Sequence, residues 1–159
     1  TTNCHYEMEF VVVIGSAGFR VEQAEAMNLV LGYACGFDLT RRDLQNAAKD
    51  KGYPWDTGKD FENAAVVGPI TRASSFGAPG PQRIELKQNG VLKQTAQLSD
   101  MIWSVSELIA DLSTLYHLAP GDIIFTGTPA GVGPVAADDT LQGSIEGLAE
   151  IELNITAAE

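Results

Sequence analysis

The chain has 159 residues, 45% of them hydrophobic, enough to bury one sizeable core in a single globular domain spanning 1–159. Ten Lys and Arg against 21 Asp and Glu leave a net charge of −11, which argues against a nucleic-acid backbone or an anionic membrane surface as the main partner. Cys4 and Cys35 form no C-x-x-C pair, so neither a zinc framework nor a disulfide scaffold is indicated, and with no signal-like or long apolar stretch a reduced, cytoplasmic setting is expected.

The sequence opens Thr1-Thr2-Asn3-Cys4 without Met, directly against a strand, and reads as a chain cut on its N-terminal side. That strand carries Glu7-Met8-Glu9 at the head of the apolar run Phe10 to Ile14 and extends to about Gly15. Alternate side chains of a strand share a face, so Glu7 and Glu9 project together. Ser16 to Gly18 make a turn, and Val21, Ala24, Met27 and Leu31 recur at helical spacing, predicting a helix over 21–31. Gly32 to Asp38 is a further strand. Thr40 with Asp43 resembles a capping box opening a helix that runs to about Lys51, where Gly52 stops it.

Tyr53 to Pro81 is rich in Gly and Pro and predicts mostly loop. Arg83–Lys87 and Leu92–Ala96 flank Asn89-Gly90, the strongest short hairpin signal. Ser104 and Glu107 form a second capping box, with Val105, Leu108, Ile109, Leu112, Leu115 and Tyr116 on one helical face behind it. Pro120-Gly121 ends that unit and Asp122–Phe125 is a short buried strand. A glycine-rich turn spans Thr126 to Pro134. The last strand alternates, with Ile151, Leu153 and Ile155 inward and Glu150, Glu152 and Asn154 outward. Strands lie in runs rather than in β-α-β alternation, which defines an α+β class, mainly β.

Bland readings stand beside the functional ones. The paired glutamates suit an edge strand with its acids in water, or two ligands of a cation that cancels their repulsion. Asp38, at the end of an apolar strand, either caps the following helix or looks toward the same space as Arg42 and Gln45, which follow at helical spacing. Three carboxylates at one point would offer hard oxygen donors, suited to Mg²⁺, Mn²⁺ or Ca²⁺ rather than Zn²⁺ or Cu²⁺. Gly127 to Gly133 is not a dinucleotide fingerprint: Pro134 follows and no helix opens after it. It is either a plain tight turn or a place where backbone N–H groups approach an anion. Lys59, taken alone, is a solvated loop lysine.

Taken together and in order, Glu7-x-Glu9, Asp38 to Gln45, Pro54-Trp55 with Lys59-Asp60-Phe61, Pro120 to Ile124 and Thr126 to Gly133 resemble the fumarylacetoacetate hydrolase family, on its acylpyruvase branch. The resemblance spans nearly the whole chain and implies a mixed β-sheet roll with a few short helices. It implies one Mg²⁺, with Mn²⁺ or Ca²⁺ as alternatives, on Glu7, Glu9 and Asp38. Arg42, Gln45 and Lys59 match the family's polarising residues, and Gly127 and Thr128, with Lys59 and Arg42, its substrate contacts. The implied reaction is metal-dependent hydrolysis of the C–C bond of an acylpyruvate such as fumarylpyruvate, a small anionic 2-oxo acid, in aromatic compound catabolism. Oxaloacetate decarboxylation or enol-keto isomerisation within the same family, and a non-catalytic metal-binding remnant, are the other readings. A homodimer is implied as well. The family's lid, with the His-Glu pair that activates water, lies upstream of the E-x-E strand and has no counterpart in this sequence. His5, on the face of Glu7 and Glu9, is read as support or exposed, and His117 as structural. Slow turnover is therefore expected of this polypeptide alone.

Overall fold

The computed structural model describes residues 1–157. Strands β1 (Cys4–Tyr6) and β2 (Met8–Ile14) are followed by α1 (Gln23–Ala26), β3 (Val30–Asp38), β4 (Thr40–Arg41), α2 (Arg42–Lys51) and α3 (Asp56–Lys59). Next come β5 (Ala65–Val67), β6 (Thr71–Arg72), α4 (Ala73–Phe76), β7 (Arg83–Gln88) and β8 (Val91–Gln97). Helix α5 (Val105–Leu115) precedes β9 (Ile123–Phe125), β10 (Gly133–Pro134), β11 (Thr140–Ile145) and β12 (Ile151–Asn154). Strands dominate and helices are short, the expected α+β class.

Three antiparallel sheets organise these strands. One runs β5-β3-β2-β9, with β6 also on β3; the second runs β12-β11-β7-β8; the third is the small β10-β1-β4. Strand β2 is buried along its whole length, because both its faces are covered. Its Met8, Phe10, Val12 and Ile14 join Tyr33, Cys35 and Phe37 of β3 in one core with Ile84, Leu86, Leu141 and Ile145 of the second sheet. Phe10 stacks on Tyr33 with ring centroids 4.9 Å apart. The sheets meet so closely at Gly143 that a Cβ there would lie 2.5 Å from the Met8 sulfur.

Local chemistry accounts for several boundaries. Asn89 and Gly90 both have positive φ, 52° and 76°, as the tight turn between β7 and β8 requires. Gly52 ends α2 at φ 68°. Ser104 accepts the Glu107 N–H while the Glu107 carboxylate takes the Ser104 N–H, closing the predicted capping box on α5.

Other expectations fail for tertiary reasons. The helix predicted over 21–31 shrinks to α1 and a 3₁₀ turn, Met27–Leu29, because Val30 and Gly32 are drawn into pairing with Ile14 and Val13. Thr40 does not cap α2: it lies in β4, opposite His5, and Asp43 instead accepts the Thr1 hydroxyl. The predicted loop after Tyr53 contains α3, β5, β6 and α4. Leu115 and Tyr116 leave the apolar face of α5 and stand 68% and 62% exposed, while Ser113 takes the inward position and its hydroxyl accepts the Val21 N–H.

Candidate metal centre

Glu7 is the single residue between β1 and β2, where the chain leaves the small sheet for the large one. Asp38 ends β3 directly across from it, and the Asp38 N–H donates to the Glu7 carbonyl at 2.9 Å. Glu9 follows two residues on, on the same face and opposite Gly36, which has no side chain to crowd it. The three carboxylates therefore converge, each offering an oxygen within 4.8 Å of the others. Glu7 and Glu9 are buried and Asp38 is half-buried. Like charges placed directly across a ladder repel unless compensated.

Partial compensation comes from α2 and α3. Arg42, the first residue of α2, donates through Nη2 to Glu7 Oε1 and through Nη1 to Gln45 Oε1 at 2.5 Å. Lys59, the last residue of α3, donates to Glu7 Oε2 at 2.8 Å, to the Thr40 hydroxyl at 2.8 Å, and pairs with Asp38. Its three N–H bonds are thus all engaged. Gly58 lets the two helices touch, since a Cβ there would lie 3.0 Å from the Gln45 backbone nitrogen. Gln45 is the buried residue of α2.

From the other side, the glycine-rich turn approaches Glu9. The Gly127 N–H donates to Glu9 Oε2 at 2.7 Å, with Gly127 itself at φ 100°. The Thr128 hydroxyl donates to the Met8 carbonyl at 2.8 Å, so its proton faces the protein rather than the cleft. The cleft holds about 480 Å³ and is lined by the six charged and amide residues named above, with Asn46, Lys49, Trp55 and the turn completing its walls.

The electrostatics are unbalanced. Burial pushes the Glu9 carboxyl up to about 7, opposed by the Gly127 N–H and reinforced by the Asp38 and Glu7 charges. Burial also raises Asp38, in spite of Lys59. For Glu7 burial acts in the same direction, but bonds from Lys59 and Arg42 outweigh it and hold the group below its ordinary value. Lys59 loses solvation yet is held above its ordinary range by Asp38 and Glu7. Of the three carboxylates, Glu7 and Asp38 are paired with Arg42 and Lys59, and Glu9 has no ion pair among the described residues. An all-oxygen donor set with an uncancelled charge fits a hard divalent ion.

The structure brings Glu7, Glu9, Asp38, Arg42, Gln45, Lys59, Gly127 and Thr128 to one cleft. It leaves the histidines outside. His5 bonds Asn3 through Nε2 at 2.9 Å, and His117 stacks on Phe19 with centroids 3.9 Å apart. Asn46, Lys49 and Gln94 carry no motif and escape a reading of sequence alone. The one available signal for Gln94 is its parity, a polar side chain at an inward position of β8.

The model for the fumarylacetoacetate (FAA) hydrolase C-terminal domain matches residues 1–156. The chain belongs to this family. It is 53% identical over 159 residues to fumarylpyruvate hydrolase from Ralstonia sp., covering 100% of this chain and 82% of that one. It is 38% identical to the mitochondrial oxaloacetate tautomerase FAHD1 of Homo sapiens, covering 100% of this chain and 72% of that one. The crystal structure of fumarylpyruvate hydrolase from Pseudomonas aeruginosa in complex with Mn²⁺ and pyruvate superposes with a TM-score of 0.97 at 41% identity, covering 99% of this chain and 68% of that one.

Proposed function

We propose that this chain hydrolyses the C–C bond of an acylpyruvate of the fumarylpyruvate type, giving pyruvate and a carboxylic acid, with a divalent ion on Glu7, Glu9 and Asp38. The observation that carries the reading is the convergence of three carboxylates within 4.8 Å beside Lys59 and Arg42. The 53% identity to a fumarylpyruvate hydrolase supports the substrate class. Mg²⁺ is the proposed ion, with Mn²⁺ or Ca²⁺ as substitutes of the same hard-donor preference. When bound, the ion supplies Lewis acidity and orients the 2-oxo acid end of the substrate.

The chain's own residues do the remaining work. Lys59 and Arg42 bring positive charge to an otherwise acidic protein, which an anionic substrate needs. Arg42 uses two of its five N–H donors, on Glu7 and Gln45, and its Nε is buried without a partner among the described residues. Gln45 fixes the guanidinium by accepting from Nη1. Water adds to the distal carbonyl and yields one proton to solvent, while Lys59 exchanges one of its three present acceptors to donate to the oxyanion that forms. Collapse of that oxyanion breaks the C–C bond and expels the enolate of pyruvate, which takes up a proton. Gly127 keeps Glu9 in place while Thr128 anchors the turn. A homodimer in the cytoplasm completes the proposal.

Product analysis after incubating the purified chain with fumarylpyruvate and Mg²⁺ tests this reading, with oxaloacetate as the parallel substrate. Stoichiometric pyruvate from fumarylpyruvate is expected, lost on chelation. Turnover undiminished in Glu9→Gln and Asp38→Asn would sink it. Conversion of oxaloacetate alone would transfer the chain to the tautomerase reading that the 38% relative suggests.

A further inference from the structure

Gln94 belongs to the second sheet, yet its side chain serves the first. At 1% exposure it is among the most buried polar residues of the molecule. Its Oε1 accepts the Met8 N–H at 3.0 Å, and its Nε2 donates to the Thr128 hydroxyl at 2.8 Å and to the Pro129 carbonyl at 2.7 Å. The partners dictate the orientation of the amide, since Met8 N–H can only donate and the Pro129 carbonyl only accept. The Thr128 hydroxyl in turn donates a hydrogen bond to the Met8 carbonyl. The bonds Met8 to Gln94, Gln94 to Thr128 and Thr128 back to Met8 close a ring.

Met8 is the residue between Glu7 and Glu9. In the ladder with β3 it faces Phe37, while the Asp38 N–H takes the Glu7 carbonyl. Antiparallel pairing alternates, so the N–H and C=O of Met8 point to the other edge of β2. On that edge β9 pairs only with Val11 to Val13 and stops short. Two side chains, Gln94 and Thr128, occupy the place of the missing strand. A buried N–H left without an acceptor at this point would be costly.

We propose that Gln94 is a positioning residue, which sets the spacing between the Glu7–Glu9 stretch and the Gly127–Pro129 turn and so aims the Glu9 carboxylate that Gly127 holds. It touches none of the three carboxylates itself. Its bearing on metal binding rests on the reading of those carboxylates as ligands; its bearing on backbone geometry does not.

Gln94→Met keeps the length and burial of the side chain and removes all three bonds. In the metal-free chain, amide exchange at Met8 and Gly127 should quicken at least about tenfold while Val12 keeps its protection. The Mn²⁺ dissociation constant, read by calorimetry, should rise by about 10- to 100-fold. Thr128→Val opens the same ring elsewhere, so the double variant should bind Mn²⁺ about as weakly as the weaker single variant, without multiplication of the losses. Unchanged exchange at Gly127 in Gln94→Met, or losses that multiply in the double variant, would overturn the proposal. If Gln94→Met fails to fold, Thr128→Val carries the exchange test in its place. A parent chain that binds no Mn²⁺ would remove the metal reading while leaving the exchange result to decide the role of Gln94.

Discussion

Thr40 and Lys59 are joined by a 2.8 Å hydrogen bond in which the ammonium donates to a hydroxyl with no exposure to water. The bond ties β4 to α3 and, with Glu7 and Asp38, uses up the donors of Lys59. Thr40→Val keeps the shape and removes the acceptor. A loss of about 1–3 kcal/mol in chemical denaturation is expected, with the Mn²⁺ dissociation constant unchanged. A parental stability would show that the bond contributes nothing.

Lys59 also competes with any metal for the charge of Glu7 and Asp38. Lys59→Met should therefore bind Mn²⁺ more tightly than the parent, since one cation leaves the site. Its kcat on fumarylpyruvate should nonetheless fall by about 10² to 10³, the usual effect of losing an oxyanion donor. Calorimetry and steady-state kinetics on one preparation check the opposed signs; weaker binding together with slower turnover would indicate a scaffolding role only.

The raised Glu9 carboxyl makes the metal-free chain sensitive to pH. Its folded value is about 7 against an ordinary 4.5, so between those limits the folded state holds a proton that the unfolded state releases. Stability contributed by this group is present below the lower value and is lost as pH rises through the upper one. Asp38 acts in the same sense and Glu7 in the opposite one, its contribution lost as pH falls. The Tm of the metal-free chain should decline as pH rises toward 7, and Glu9→Gln should flatten that slope. Mn²⁺ affinity should climb over the same interval, because binding must expel the proton. A pH-independent dissociation constant between pH 5 and about 7 would contradict this.

Gly127 sits at φ 100°, where a side chain is strained. Gly127→Ala should cost about 1–3 kcal/mol and disturb the bond to Glu9, weakening Mn²⁺ binding. Gly90→Ala, at φ 76° in the β7–β8 turn, serves as control: it should lose similar stability and keep its metal affinity. Equal effects of the two on Mn²⁺ binding would deny Gly127 any special place.

The parts of the fold and site that were legible in the sequence are those set by short-range rules. Asn89-Gly90 announced its turn, Ser104 and Glu107 their cap, and the parity of Glu7 and Glu9 their shared face. Asp38, Arg42 and Gln45 were readable because a strand end and a helix start bring them to one side. What stayed hidden depends on partners far along the chain. Val30 and Leu31 extend β3 because Ile14 awaits Val30, although Leu31 falls on the helical spacing of Val21, Ala24 and Met27. Thr40 becomes a strand residue because β1 pairs with it. Gln94 acquires its role from residues 86 and 34 positions away, a relation that no local pattern encodes.

Anyone seeking a hardier version of this protein would look first at its glycines in short helices, where alanine normally stabilises by about 0.4–1 kcal/mol. Gly58 is closed to that choice. A methyl there would press on Gln45 at 3.0 to 3.1 Å and act as a wedge between α2 and α3. The bare backbone at this position is a spacer of fixed thickness. Engineering for heat resistance at this joint would trade away the reach of Lys59 toward the carboxylates.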